Sequence, residues 1–281
     1  MIAYTHGVYD ILRAKDLQEI DRQIQLSTQD GAEYFGIGVY DSNLCENLGL
    51  NSPLKNLNDR LAIMAEIRGV DFVFPITSLH EDIIKDAVKN SLSTFLKNKA
   101  KSAPTENKKK YELGYAPGTY DLFHAGHLEN LLIASSQCDQ LIVGIKSDEL
   151  VEEHKHRKPV ISAEERMEIL RHFRFVHDVY KYHTRDLHNA NNWLKSKYNH
   201  TIDAIFLGSD LEKDFSDASD LNIVFTPRDK DGMKTKSTSA YRKIHLSREA
   251  QPRYIAPTPL EKQLPPSLLL VDTPDLSELD L

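Results

Sequence analysis

The 281-residue sequence predicts an α/β protein of two tandem doubly wound parallel-sheet domains, the first of them truncated. Three observations carry that prediction. A Gly-x-Tyr-Asp frame occurs twice, as Gly7-Val8-Tyr9-Asp10 and as Gly118-Thr119-Tyr120-Asp121. Two more blocks repeat in the same order: "YFGIGVYDSNL" with "QLIVGIKSDEL", pairing Gly38 with Gly144, and "NDRLAIMAEIRGVDFVF" with "EERMEILRHFRFVHDVY", pairing Arg60 with Arg166. Within each copy, short β-rich apolar runs alternate with segments of helical period, the pattern of a parallel sheet with crossover helices.

In the first copy, a strand runs into the Gly7 turn, a helix carries Arg13 and Asp16, and the strand "YFGIGVY" follows. A helix around "NDRLAIMAEI", the strand "DFVFPI" and a helix near residues 80 to 97 complete it, without the later strands of the second copy. This sets a first domain at 1–97. Residues 98–111, within "KNKAKSAPTENKKKYE", are rich in Lys, Asn and Ser and read as a linker. The second domain, 112–246, opens with the strand "LGYAPGTYD", whose Pro and Gly end it, and continues into the helix "AGHLENLLIASSQ" and the strand "QLIVGI". "SAEERMEILRHF" starts a helix with Ser162 as cap and glutamates in its first turn. "DVYKY" and "DAIFLG" are strands separated by a helix around "NANNWLKSKYN", and "NIVFTP" is a last strand. Each copy is thus Rossmann-like. Residues 247–281, with five prolines beyond Arg253 and an acidic close, read as disordered, with "SLLLVD" as a segment able to dock.

Composition narrows the function. A formal net charge of -7 and a pI near 5.9 argue against a general nucleic-acid binder. Cys45 and Cys138 lack any metal-type spacing and suggest neither disulfide nor zinc. "MIAYTHGVYDI" does not read as a secretory leader and no apolar stretch is long enough for an integral membrane segment, so a cytoplasmic location is expected.

The chemistry concentrates in "GTYDLFHAGHLENL". A strand ending in glycine and turning into a helix presents free N–H groups and a positive dipole end, which suits phosphate. His124 and His127 fall on one side of that first helical turn, separated by the small Ala125 and Gly126. Two imidazoles there can donate to a phosphate that gains charge under nucleophilic attack, so nucleotidyl transfer fits.

"GTYDLFHAGH" resembles the HxGH signature of the cytidylyltransferases that make CDP-activated alcohols, a family that includes glycerol-3-phosphate, phosphocholine and phosphoethanolamine cytidylyltransferases. The resemblance covers about residues 112 to 245. "GIKSDELVEEHK" is similar to the segment that ends in the family's catalytic lysine, which implies that role for Lys155 beside His124 and His127. "SAEERMEIL" resembles the helix that implies Arg166 near the nucleotide phosphates, and "AIFLGSD" the late strand and loop that imply Gly208 and Asp210 as site residues. Gly118 and Thr119 join the substrate-binding set, and Asp121 is expected to orient the turn. The family's last signature, R-T-x-G-x-S-T-T, is met only in part by "PRDKDGMKTKSTSAYRKI": Ser237, Thr238 and Ser239 match, while Arg228 lies nine residues before Ser237 where the family has five.

The resemblance implies that CTP and an alcohol phosphate give a CDP-alcohol and pyrophosphate, with Mg²⁺ carried on the CTP phosphates and no metal-binding residues of the protein assigned. Glycerol 3-phosphate or a related polyol phosphate is the favoured acceptor. Phosphoethanolamine, phosphocholine, adenylyl transfer to a sugar phosphate, and a non-enzymatic nucleotide sensor or scaffold are the alternatives. The first copy carries Arg13 and Asp16 at the histidine positions and no matching lysine, so it is expected to be inactive, acting as an internal pseudo-dimer partner if the protein is not a homodimer.

Overall fold

The computed structural model describes residues 1–101, 109–184, 186–209, 221–227, 238–249 and 269–271. The chain divides into two compact units, Met1–Glu106 with Lys243–Leu281, and Asn107–Arg242. Asp210, Arg228 and Ser237 lie outside the described residues. Among the described residues no helix is long and apolar enough to cross a membrane.

The first unit runs β1 (Ile2–Gly7), α1 (Ala14–Gln29), β2 (Tyr34–Tyr40), α2 (Ser42–Asn47), α3 (Leu57–Ala65), β3 (Phe72–Ile76) and α4 (Glu81–Lys101). Its three strands pair in parallel, with Gly7 beside Val39 and Tyr40 beside Ile76. Ile2, Tyr4, Phe72, Phe74 and Ile76 pack with Ile84, Val88 and Leu92 of α4, so the long helix covers one sheet face with its buried apolar stripe.

The second unit runs β4 (Tyr111–Gly118), α5 (Ala125–Gln137), β5 (Cys138–Lys146), α6 (Asp148–Lys155), α7 (Ala163–Arg171), β6 (Asp178–Tyr182), α8 (Leu187–Tyr198), β7 (Ala204–Gly208), β8 (Ile223–Thr226) and α9 (Thr238–Glu249). α9 runs seven residues past the Arg242 boundary of this unit. The five strands are all parallel, in the order β6-β5-β4-β7-β8. Strands buried on both faces explain the near-continuous apolar run Leu141-Ile142-Val143-Gly144-Ile145. From β4 the chain moves outward on one side through β5 and β6, then returns to the other side at β7. That reversal opens a crevice beyond the carboxyl ends of β4 and β7, where doubly wound sheets hold ligands. Ser162 caps α7 by accepting the Glu165 N–H at 3.3 Å, as its place in the sequence predicts.

A short strand, β9 (Leu269–Val271), lies within the Pro-rich stretch 247–281 and pairs antiparallel with β1, giving the first sheet the order β3-β2-β1-β9.

Candidate active site

The Gly-x-Tyr-Asp frame is a turn-building device in both units. Tyr9 and Tyr120 both adopt left-handed backbone, at φ 50° and 52°, and each folds its ring back over the glycine two residues earlier. A Cβ on Gly118 would lie 2.6 Å from the Tyr120 ring and one on Gly7 3.2 Å from that of Tyr9, so only glycine fits without displacement at position 118. Asp121 then accepts the backbone N–H groups of Val160 and Ile161 at 3.0 Å, and Asp10 does the same for Leu54 and Lys55 at 2.7 and 2.9 Å. Arg242 also approaches Asp121, at 3.6 Å.

Arg166 completes that clamp. Its guanidinium is buried and donates to the carbonyls of Ile161 (2.9 Å), Thr119 (2.5 Å) and Lys146 (2.9 Å), and to the Asp148 carboxylate (2.5 Å). Arg60 repeats the pattern on the carbonyls of Lys55, Val8 and Tyr40 at 3.2, 2.8 and 2.7 Å. The repeated arginine ties the carboxyl ends of the first two strands of each unit to the loop before the next helix. Arg166 and Asp121 are therefore engaged with backbone and do not line the crevice, a placement the sequence reading did not foresee for Arg166. The first unit, which has Arg13 and Asp16 where the second has His124 and His127, retains the same pair, which is the signature of a fold element.

On this frame sit the histidines. His124 is the N-cap of α5 and is buried; its Nδ1 accepts the Gly126 N–H at 3.2 Å. A neutral His124 consequently carries its proton on Nε2, which lies 3.1 Å from the Thr238 hydroxyl at the start of α9. His127 Nε2 reaches the same hydroxyl at 3.4 Å, and the two imidazoles stack at 3.8 Å between ring centres. Tyr120 meets His127 edge-on at 5.3 Å. The amino ends of α5 and α9 thus converge on one point, each offering a positive dipole end.

A cavity of about 430 Å³ opens here at the carboxyl edge of the sheet. Of the residues singled out in the sequence, Gly118, Thr119, His127, Lys155, Gly208 and Thr238 line it, and His124 stands behind Thr238. Lys155 ends α6 and points its Nζ at the Thr119 hydroxyl, 3.5 Å away. Ser239 receives a hydrogen bond from Arg157 at 3.3 Å. The sequence reading missed Lys146, which lines the cavity from the carboxyl end of β5, and Asn130, three residues after His127 on the same helix face. The strand-end rule would have found the first and helical spacing the second. Asn130 is held by the buried Thr226 hydroxyl at 3.1 Å. Two lysines against one carboxylate, Asp186, give this lining a bias towards a polyanion.

In the first unit Asp16 accepts the Arg13 N–H at 3.1 Å, and a carboxylate occupies the place of His127. Gly49, in left-handed backbone at φ 69°, stands where Lys155 does.

The family model described as "Cytidylyltransferase-like" matches residues 115–263. Over 71 residues the chain is 42% identical to a probable ethanolamine-phosphate cytidylyltransferase of Encephalitozoon cuniculi, covering 25% of this chain and 22% of that one. Over 62 residues it is 44% identical to an FAD synthase of Pyrococcus horikoshii, covering 22% and 42%. It is 34% identical over 115 residues to a glycerol-3-phosphate cytidylyltransferase of Bacillus subtilis, covering 40% of this chain and 82% of that one. The matches thus span less than half the length of the first two relatives. Among solved structures, a lipopolysaccharide core biosynthesis protein from Thermoplasma volcanium matches 43% of this chain and 98% of its own, at 18% identity and a TM-score of 0.34.

Proposed function

The chain belongs to the cytidylyltransferase-like family of nucleotidyltransferases, and from that membership we propose that its second unit transfers CMP from CTP to a small alcohol phosphate, glycerol 3-phosphate or a related polyol phosphate, releasing pyrophosphate. The observation that carries the reading is the convergence of His124 and His127 within 3.4 Å of the Thr238 hydroxyl, at the rim of a lysine-lined crevice.

An oxygen of the acceptor phosphate attacks the α-phosphorus of the nucleotide in line. The new P–O bond forms as the bond to the bridging oxygen of the leaving pyrophosphate breaks. The acceptor is ionised at neutral pH, so no base is needed and positioning and charge stabilisation carry the rate. The Nε2–H of His124 and the imidazole of His127, which meet at the Thr238 hydroxyl before the nucleotide binds, turn to donate to the α-phosphate oxygens as charge builds. Lys155, beside Thr119, spans the triphosphate and the incoming phosphate. Asp121 and Arg166 act as positioning residues: Arg166 holds the Thr119 and Lys146 strand ends, and Asp121 holds the loop at Val160 and Ile161 against the turn. Gly208 and Thr226, with Asn130, border the nucleoside side of the crevice; Asp210, Arg228 and Ser237, outside the described residues, are proposed to complete it.

The family implies a divalent cation with the nucleotide. Among the described residues no group of three His, Cys, Asp or Glu side chains could hold one, and Asp186 is committed to capping α8. Mg²⁺ would therefore be held by the nucleotide's own phosphates, where it neutralises the leaving group.

For the acceptor, Tyr180 stacks on Trp193 at 4.3 Å, while Tyr182 lines the cavity beside Thr184, Asp186 and Asn189. That lining offers hydrogen bonds to hydroxyls and supports a polyol over a quaternary ammonium, which calls for an aromatic cage. The FAD synthase relative favours adenylyl transfer as the second reading. The first unit, with Arg13, Asp16 and Gly49 in place of the reactive side chains, is proposed to be catalytically silent.

The test is pyrophosphate release from CTP and from ATP against glycerol 3-phosphate, phosphoethanolamine, phosphocholine and sugar phosphates. Turnover with CTP and a polyol phosphate is expected. Turnover with ATP alone would establish the second reading, and silence across the panel from folded protein would remove the enzymatic one.

A further inference from the structure

β9 meets β1 with Ile2 opposite Val271, Ala3 opposite Leu270 and Tyr4 opposite Leu269. The corresponding edge of the second unit is closed in another way: β4 pairs in parallel with β7, Gly114 opposite Ala204, and β7 pairs with β8. The first unit leaves its sheet after β3 and α4, and among the described residues it has no counterpart of β7 or β8. Without β9, β1 would present a row of unpaired N–H and C=O groups along the apolar sequence Ile-Ala-Tyr, and such an edge is a template for pairing with another chain.

We propose that the β1 edge of the first unit is a strand-accepting site, and that the chain's own segment Leu269–Val271 is its occupant, closing the truncated sheet and blocking edge-to-edge pairing with a second copy. The direction of the added strand supports this. A parallel neighbour must arrive through a crossover helix, as β7 does, whereas a segment returning from far along the chain is free of that constraint and runs antiparallel. The sequence fits the task as well: Leu268-Leu269-Leu270-Val271 is a short apolar run between Pro265-Pro266 and Pro274. Proline cannot donate to a ladder, so the flanks confine the pairing to the few residues between them. This inference is independent of the activity proposed for the second unit.

The test uses the full chain with Leu270→Pro, a second form ending at Gln263, and the peptide of residues 266–274 added in trans. Mass by light scattering at matched concentrations, and amide exchange over residues 2–5, are read. Both altered forms should exchange faster across residues 2–5 when dilute, assemble to a larger mass than the full chain as concentration rises, and return to the full-chain mass with excess peptide. Unchanged mass and exchange in both would overturn the proposal. A cysteine pair, Ala3→Cys with Leu270→Cys, guards against a variant that merely unfolds, because Cys45 and Cys138 are buried and directly opposed strand residues are within disulfide reach. An intrachain link supports the cis strand; an interchain link, or none, contradicts it.

Discussion

Replacing Arg166 by Met keeps most of the side-chain volume and removes the guanidinium that serves three carbonyls and the Asp148 carboxylate. A buried acceptor left unsatisfied costs about 1 to 3 kcal/mol. Lys146 borders the cavity, where water can replace part of the loss, and Asp148 is one-third exposed, so its ion pair adds under about 1 kcal/mol. The net expectation is about 4 kcal/mol, in the range found when a buried charged partner is removed. With a urea slope of about 2 kcal/mol per molar, the midpoint should fall by about 2 M. Trp193, the single tryptophan, lies in the second unit and reports its unfolding by fluorescence. Arg60→Met should cost the first unit a similar amount, read by circular dichroism, since Arg60 binds the three matching carbonyls. An Arg166→Met protein with an unmoved midpoint and weakened nucleotide binding would refute the clamp and assign the guanidinium to the ligand.

Three further outcomes are expected. Gly118→Ala puts a methyl 2.6 Å from the Tyr120 ring, which abuts His127; it should cost about 1 to 3 kcal/mol and lower kcat, while Gly7→Ala, at 3.2 Å, should be milder in a urea titration. Thr238→Val removes the hydroxyl shared by the two histidines and should lower kcat by about 10- to 100-fold with KM for the nucleotide little changed; a change in KM alone would show a binding role instead. His6, bonded to the Tyr40 hydroxyl at 2.7 Å, is held below the ordinary histidine range by burial. The unfolded chain then takes up the proton first, so the first unit loses stability as pH falls below about 6.5 towards the lowered folded value. His6→Gln should flatten that slope between neutral and mildly acidic pH, and an unchanged slope would place the acid sensitivity elsewhere.

The parallel sheets were legible because β-rich apolar runs alternate with helical periods, and the duplication because Gly, Tyr, Asp and Arg recur in order. The same recurrence separates two kinds of residue. Residues shared by the two copies belong to the fold, as the Asp121 and Arg166 bonds to backbone show, whereas residues that differ, His124, His127 and Lys155, are those proposed to carry the chemistry. Lys146 and Asn130 were legible only as candidates, from a strand end and a helical spacing; that both border one cavity follows from which strand end and helix face meet, a property of topology. The pairing of Leu269–Val271 with β1 was beyond local reading altogether: a three-residue strand has no period to detect, and its partner lies at the other end of the chain.

The central claim is tested most directly by ³¹P NMR of the protein incubated with CTP, Mg²⁺ and glycerol 3-phosphate, beside its His127→Ala form. The account predicts equal growth of pyrophosphate and of the coupled pair of resonances that a new diphosphate ester gives, both abolished in the variant. Pyrophosphate with CMP and no new diphosphate, or equal rates in the two proteins, would contradict it.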